Sequence, residues 1–245
     1  MARRGSPDVA FFLIGGQSVL GALTEVEDSI EAVVEEGAVL GDLWTAPAFT
    51  GLRMAGITQD GFYDDVAGGV HDALSSGPGT ARVLCYGPAG TATGAYFQGW
   101  ESAMEVKYTR ILNVGALHKA HGEYRTNGAV ESGKILRTYK VATATGASTG
   151  TPVDNAASAS GAVGYLQYNA TAGEANIRIL DSADNITYAA AITFTKTASG
   201  AGAERITTTG FVQRYTAVDV TTASATGSIA ALNFFVGLVR GALTT

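Results

Sequence analysis

Cysteine is almost missing from this chain: Cys85 stands alone, which excludes an internal disulfide and any metal site built from several thiolates. It lies in the apolar run Arg82-Val83-Leu84-Cys85-Tyr86, where a buried, unreactive thiol is expected. Histidine is nearly as scarce, with only His71, His118 and His121. The last two have a helical metal-ligand spacing, but in a strand they face opposite ways and no third ligand stands near them, so no metal is expected. Long apolar runs are missing too. Nothing approaches the roughly 20 residues of a membrane helix, and no membrane partner is expected. The opening MARRGSPDVAFFLIGG starts like a secretory leader, yet Pro7 and Asp8 interrupt it and Val9–Ile14 is short for a leader's core. It reads as a first strand behind a short basic arm. Positive charge is in deficit, with 16 Lys and Arg against 22 Asp and Glu, which argues against gripping nucleic acid by phosphate neutralisation.

What the chain does have is glycine, 32 residues of it against 5 prolines, together with abundant Thr, Ala and Ser. That composition favours many short strands joined by Gly-rich turns. At 245 residues and 46% hydrophobic, there is material for one large all-β domain or two modest ones. Strands are expected at Val9–Ile14, ended by Gly15-Gly16, and at Ala81–Tyr86. Leu52, Met54 and Ile57 suit a strand anchored in the core. Residues 23–40 fit either a capped helix or an extended pair, with a narrow preference for extended structure. Asp65 can cap a short helix through Val66, Val70 and Leu74, stopped by Gly77-Pro78-Gly79. Residues 129–139 suit a short helix or a strand equally.

Residues 142–161, ATATGASTGTPVDNAASASG, hold no large apolar residue except Val153. They read as a linker or exposed loop between a domain at 1–141 and a second at 162–245. Six strand candidates follow: 165–169, 176–180, 188–195, 204–209, 211–220 and 229–239, at the spacing of an antiparallel β-sandwich. The last is apolar on both sides in places (Phe235, Val239) and should be central.

The chain is organised around residues 103–126. Met104, Val106 and Tyr108 alternate with Glu105, Lys107 and Thr109; after Asn113-Val114-Gly115, Lys119, His121, Glu123 and Arg125 oppose His118, Ala120 and Tyr124. This is the pattern of a long two-sided hairpin, with arms of roughly 9–11 residues against the usual 5–6. Such a hairpin needs a sheet beneath it or a neighbouring subunit beside it. Glu105, Lys107, Thr109, Arg110, Lys119, His121, Glu123 and Arg125 are therefore candidates for subunit contact. Charge is also segregated: residues 25–72 carry eleven acidic side chains and one basic, whereas residues 73–140 carry eight basic and four acidic. Either these are two differently solvated faces, or acid and base lie on opposed faces so that copies attract head to tail. Glu25, Glu27, Asp28, Glu31, Glu35 and Glu36 are the acidic interface or lumen candidates.

Catalytic chemistry is hard to assemble from these residues. Asp60, Asp64 and Asp65 suggest paired carboxylates but lack a nucleophile or basic partner, and read better as a turn and cap. Asp181-Ser182-Ala183-Asp184-Asn185 looks like a calcium loop, yet lacks the glycine and distant Glu of an EF-hand, which favours an Asx turn. No glycine cluster carries a P-loop ending, a dinucleotide spacing or a nucleophile elbow. Trp44, Tyr96, Phe97 and Trp100 suit core or interface anchoring better than stacking on sugars or bases. No enzyme activity and no cofactor are expected.

Two passages resemble known virion proteins. Gly56-Ile57-Thr58-Gln59-Asp60-Gly61-Phe62-Tyr63-Asp64-Asp65, followed by Ala81–Gly87 and by Leu117–Ala120 through Tyr124-Arg125, resembles the major tail (tail tube) proteins of long-tailed bacteriophages over residues 9–140. Asp181–Asn185, Ala203–Ile206, Gly210–Tyr215 and Phe235–Arg240 resemble a β-sandwich module that recurs in phage virion proteins. The resemblance implies a mainly β fold: a tail-tube-type barrel or sandwich with one or two short helices, plus a C-terminal antiparallel β-sandwich. It implies rings of identical copies, usually hexamers, stacked head to tail into a hollow tube through which DNA passes without specific binding. It further implies contact with other tail proteins, and a place in the virion tail after assembly in the host cytoplasm. Family tubes can lack the second domain, whose role is then decoration or inter-ring contact. Two other readings stay open: a carbohydrate-binding sandwich using Tyr165, Tyr168, Tyr188 or Trp100, and a head-decoration or tail-terminator protein.

Overall fold

The structure is a computed structural model that describes residues 11–19, 23–37, 46–64, 70–75, 77–112, 114–126, 128–142, 146–147, 151–170, 174–195, 197, 199–222 and 232–241. The chain is built almost wholly of antiparallel strands. In order they are β1 (Phe12–Ile14), β2 (Gln17–Ser18), β3 (Leu23–Gly37) and β4 (Ala46–Phe62), then the helix α1 (Val70–Ser75), then β5 (Ala81–Tyr86), β6 (Tyr96–Ile111), β7 (Lys119–Thr126) and β8 (Val130–Val141). The second half adds β9 (Gly146–Ala147), β10 (Val153–Asp154), β11 (Ala162–Ala170), β12 (Ala175–Ser182), β13 (Ala189–Thr193), β14 (Gly200–Thr208), β15 (Tyr215–Thr222) and β16 (Leu232–Arg240). The ambiguous stretches at 23–40 and 129–139 resolve as β3 and β8, in line with their content of β-branched residues. The six C-terminal strand candidates are all present, and β16 is central, between β11 and β8.

Eleven strands form one sheet with the path β14-β11-β16-β8-β6-β5-β1-β2, from which β7, β4 and β3 branch off β6. The branch arises because β6 is long enough to serve two neighbours in turn. Its first residues pair with β8, Tyr96 to Trp100 against Lys134 to Val130, and its later ones pair with β7 from Ala103 onward. A second sheet runs β10-β15-β12-β13, with β9 also on β15. The segment expected as a linker thus contributes β9 and β10, and Val153 within it is buried. Nor does the main sheet break there, since β16 is hydrogen-bonded to β8 on one side and β11 on the other.

Three apolar layers follow from strands that are apolar on both faces. Leu166, Phe234, Val236 and Leu238 face Ile177, Ile179, Val218 and Val220 of the second sheet, making the sandwich core. The other faces of the same strands, through Val163, Tyr165, Phe235 and Val239, pack on Phe11, Leu13, Cys85 and Phe97. Phe12 and Ile14 turn away into a third layer with Leu74, Leu84, Trp100 and Tyr124. The thiol of Cys85 is fully buried, and burial pushes its pKa far up.

The main sheet curls so that its β1–β2 end lies against β11 and β14. Gln167, fully buried, holds this seam: its Oε1 accepts the Gly16 amide at 2.6 Å and its Nε2 donates to the Val83 carbonyl at 2.9 Å. Gly16 itself has φ +87°, and a Cβ there would sit 2.1 Å from the Tyr168 carbonyl oxygen. Farther along, Arg205 of β14 forks onto Glu131 of β8 (2.8 and 3.0 Å) and reaches Glu101 of β6 at 3.2 Å. These polar ties fix the curl that the apolar layers begin.

One expectation about the core is corrected. Met54 is 53% exposed, while Ala55 and Ile57 are buried, because the inward phase of β4 falls on odd positions here. Leu52 lies outside the residues whose side chains are described. A short helix is seen as α1, with Val70, Ala73 and Leu74 buried; the expected cap Asp65 and its neighbour Val66 lie outside the described residues. The calcium-like loop is an Asx turn, with Asp184 Oδ1 accepting the amides of Ile186 and Thr187 at 2.9 Å each.

Candidate functional site

The expected hairpin exists, and the structure shows what lies beneath it. β6 and β7 pair antiparallel, β7 pairs with β4, and β4 with β3, giving the order β3-β4-β7-β6. Reading the registers across all four strands gives rows that share one face. One row is Glu25, Asp60, His121, Thr109 and the next is Glu27, Thr58, Glu123, Lys107. Toward the hairpin tip Phe62, Lys119 and Ile111 make a further row. At the other end Ser29, Gly56, Arg125 and Met104 line up, followed by Glu31 with Met54.

The middle of this face is a charge network. His121 Nδ1 lies 2.8 Å from Asp60 Oδ1 and its Nε2 lies 3.2 Å from Glu123 Oε1, which also accepts from Lys107 Nζ at 2.8 Å. Desolvation pulls the His121 pKa down, but hydrogen bonds to Asp60 and Glu123 outweigh it and the net shift is upward. Hydrogen bonds from Lys107 and His121 hold Glu123 below the usual carboxylate range.

Two expectations fail on this sheet. Glu105 does not share a face with Lys107. A β-bulge between Glu105 and Lys107 inserts one residue and reverses the alternation, so Glu105 pairs with Tyr124 and is 0% exposed. Its nearest charge is Arg82, at 3.8 Å, and neither carboxylate oxygen has a hydrogen-bond partner. Burial raises its pKa to about 7. Tyr124 Oη, Gln59 Nε2 and Trp100 Nε1 are likewise buried without partners in the same layer. Second, acid and base do not separate onto the two faces of this sheet. Glu25 and Glu27 share a face with Lys107 and Lys119, because β3 and β6 belong to one sheet.

The remaining candidates fall as follows. Arg110 pairs with Ala120 and is exposed, one step out of phase with Thr109. Arg125 is exposed opposite Gly56. Asp28 lies on the other face from Glu25 and Glu27 and is exposed beside Tyr86. Glu35 and Glu36 lie in β3 opposite Ala48 and Pro47. Tyr165 and Trp100, candidates for stacking on sugar, are fully buried and unable to do so.

Separation along the sheet is reached by two open edges, a feature the sequence pattern did not reveal. Among the described residues β3 has β4 as its only strand neighbour. Pairing of β6 with β5 ends at Met104, so Val106–Ile111 has β7 on one side and no described strand on the other. The β3 edge bears Glu25, Glu27, Asp28 and Glu31; the β6 edge bears Lys107 and Arg110. Before Gly56, β4 pairs among the described residues with β3 alone, as a two-stranded ribbon. At the opposite end the hairpin tip exposes Ile111, Leu112, Val114 and Leu117.

No family's sequence profile matches the chain, and no curated protein matches it. Among solved structures it is similar to a chain in the virion of a native gene transfer agent particle, at 14% identity and TM-score 0.38, over 52% of this chain and 97% of that one. It is similar to a chain in the tail of an empty gene transfer agent particle with C6 symmetry, at 14% identity and TM-score 0.37, over 52% and 97%. It is also similar to the Dit protein of phage SPP1, described as a paradigm of the hub adsorption apparatus in phages that infect Gram-positive bacteria. That match has 12% identity and TM-score 0.35, over 95% of this chain and 99% of that one.

Proposed function

We propose that this chain is a structural subunit of a phage tail that closes into a ring by strand addition, the β3 edge of one copy pairing with the β6 edge of the next. Rings then stack into the tube through which DNA passes, with six copies per ring as the resemblance implies. The observation that carries this reading is a four-stranded sheet with two open edges of opposite charge. An open edge recruits another strand unless it is blunted, and acid on one edge with base on the other selects β3-to-β6 over self-pairing. Such a contact is heterologous, and its repetition closes a ring when the rotation permits. The shared face then turns toward the lumen. Its Glu25, Glu27 and Asp60 repel phosphate, so DNA passes without being held. The tube needs no catalytic turnover and no cofactor.

The fusion of the sandwich into the ring sheet through β16 favours a second reading, a tail hub that forms one ring and presents its sandwiches outward without repeating along an axis. Negative-stain microscopy and mass photometry of the purified chain separate the two as tubes or single rings. The variant Arg110→Glu should lower the ring population about tenfold or more, with far-UV CD and melting temperature unchanged. An unaltered ring population retires the edge pairing. A wild-type chain that stays monomeric at high concentration retires assembly as a function.

A further inference from the structure

Topology alone sets the strand direction at a joint between the β3 and β6 edges. β3, β4, β7 and β6 are successively antiparallel, so β3 runs opposite to β6. Rotation about the ring axis keeps every β3 pointing the same way, and the neighbour's β3 therefore meets β6 antiparallel. The faces must match as well. Asp28 and Arg110 lie on one face of the sheet, Glu31 and Lys107 on the other, so the register changes only in steps of two residues.

Within a copy the row Glu27, Thr58, Glu123, Lys107 runs straight across the four strands. A neighbour that simply continued this row would set Lys107 against Glu27 and leave Arg110 opposite Thr24, without an acid. Sliding two residues toward the C-terminal end of β3 opposes Lys107 to Ser29 and Arg110 to Val26, and pairs neither. Sliding six opposes them to Val33 and Ile30. At four, Lys107 meets Glu31 on one face while Arg110 meets Asp28 on the other. All four charged side chains are exposed. Arg53 pairs with Ala32, so it points to the face away from Glu31. Lys107 gives one proton to Glu123 and has two more to offer. Tyr108 then lies against Ile30, which is 53% exposed in the single copy.

Barrel closure selects the same register independently of charge. A sheet that closes on itself needs strands tilted by roughly 35–45°. Four strands span about 19 Å and four residues about 13 Å, which gives a tilt of roughly 35°. Two residues would give only about 20°, and an unshifted joint none.

We infer that β6 of one copy pairs with β3 of the next in a single antiparallel register, displaced by four residues, in which Arg110 faces Asp28 and Lys107 faces Glu31. This rests on the ring reading above and deepens it by naming the residues that meet at the joint.

Cysteine pairs read the register directly. In the displaced register Thr109 lies opposite Ser29 of the next copy, within disulfide reach. Within one copy the two are at least three strand spacings, about 14 Å, apart. Oxidised Thr109→Cys/Ser29→Cys chains should therefore lose most of the monomer band to a ladder of covalent multimers on a non-reducing gel. Thr109→Cys/Glu25→Cys reports the unshifted joint and Thr109→Cys/Glu27→Cys the shift of two, and both should stay monomeric on the gel. Cys85 is buried and takes no part. A ladder from either of these instead, or rings from all three variants with no ladder, overturns the register and leaves ring formation standing. A wild-type chain that forms no rings sinks the ring reading and this inference with it. As a second measurement, adding Asp28→Lys to Arg110→Glu should raise the ring population about tenfold over Arg110→Glu alone. No recovery overturns the Arg110–Asp28 pair.

Discussion

Gly16→Ala should lower the stability of this protein by about 3–5 kcal/mol, more than any conservative surface change. Two independent penalties combine. At φ +87° an L side chain is strained by roughly 1–2 kcal/mol. The added Cβ would also lie 2.1 Å from the Tyr168 carbonyl oxygen and 2.4 Å from the Gly202 amide nitrogen. Both are backbone atoms of paired strands, so no rotamer change relieves the clash. The turn must move off β11 and β14, and the Gly16 amide then gives up Gln167 Oε1. Gly90→Ala is the matched control. Gly90 has φ +99° and open space where a Cβ would go, so it isolates the strain at about 1 kcal/mol. Urea unfolding of the two variants beside the wild type reads the difference. Equal losses would show that the curled end of the sheet does not press on β11 as described.

Glu105→Gln should stabilise the protein by about 3 kcal/mol at pH 8 and change little at pH 4.5. Burial raises the folded-state pKa from the ordinary carboxylate value of 4.5 to about 7, a difference that corresponds to about 3 kcal/mol. Between those values the folded chain holds a proton that the unfolded chain releases. The associated stability is therefore complete below about pH 4.5, falls as pH rises, and levels off above about 7. Above that point a carboxylate with no hydrogen-bond partner sits in the apolar layer, and Arg82 at 3.8 Å offsets only part of its desolvation. The neutral amide removes the penalty while keeping the shape, and Arg82 retains its bond to the Ala73 carbonyl at 2.6 Å. Urea midpoints across pH 4.5–8 should fall for the wild type and stay flatter for the variant. Parallel curves would mean that Glu105 is solvated in solution.

The same residue shows where the sequence stops being legible. Period-two alternation located β1, β5, β6, β7 and the six strands from β11 to β16, because a strand with one buried face must alternate. Counting faces across a strand assumes that no residue is inserted, and the bulge at Val106 breaks that count without any mark in composition. Glu105 and Lys107 look equivalent in the pattern yet lie on opposite sides of the sheet. Met54 misled in a related way: an apolar residue at a plausible position is solvent-facing because the inward phase of β4 falls on its neighbours Ala55 and Ile57. The run at 142–161 looked like a boundary because it lacks bulk, but strand pairing is made by backbone, so small residues joined a sheet on the strength of β15. The open edges lay beyond reach for a third reason. Which strand is outermost depends on long-range pairing, whereas the charges of those edges were plain from the start.

The central place of β16 sets the timing of biogenesis. It is the last of these strands to leave the ribosome, yet it forms the hydrogen-bonded bridge between β8 and β11. Until β16 emerges, no ladder among the described strands joins the two halves of the nascent chain. Fragments released early therefore lack the strand that joins the sandwich to the main sheet.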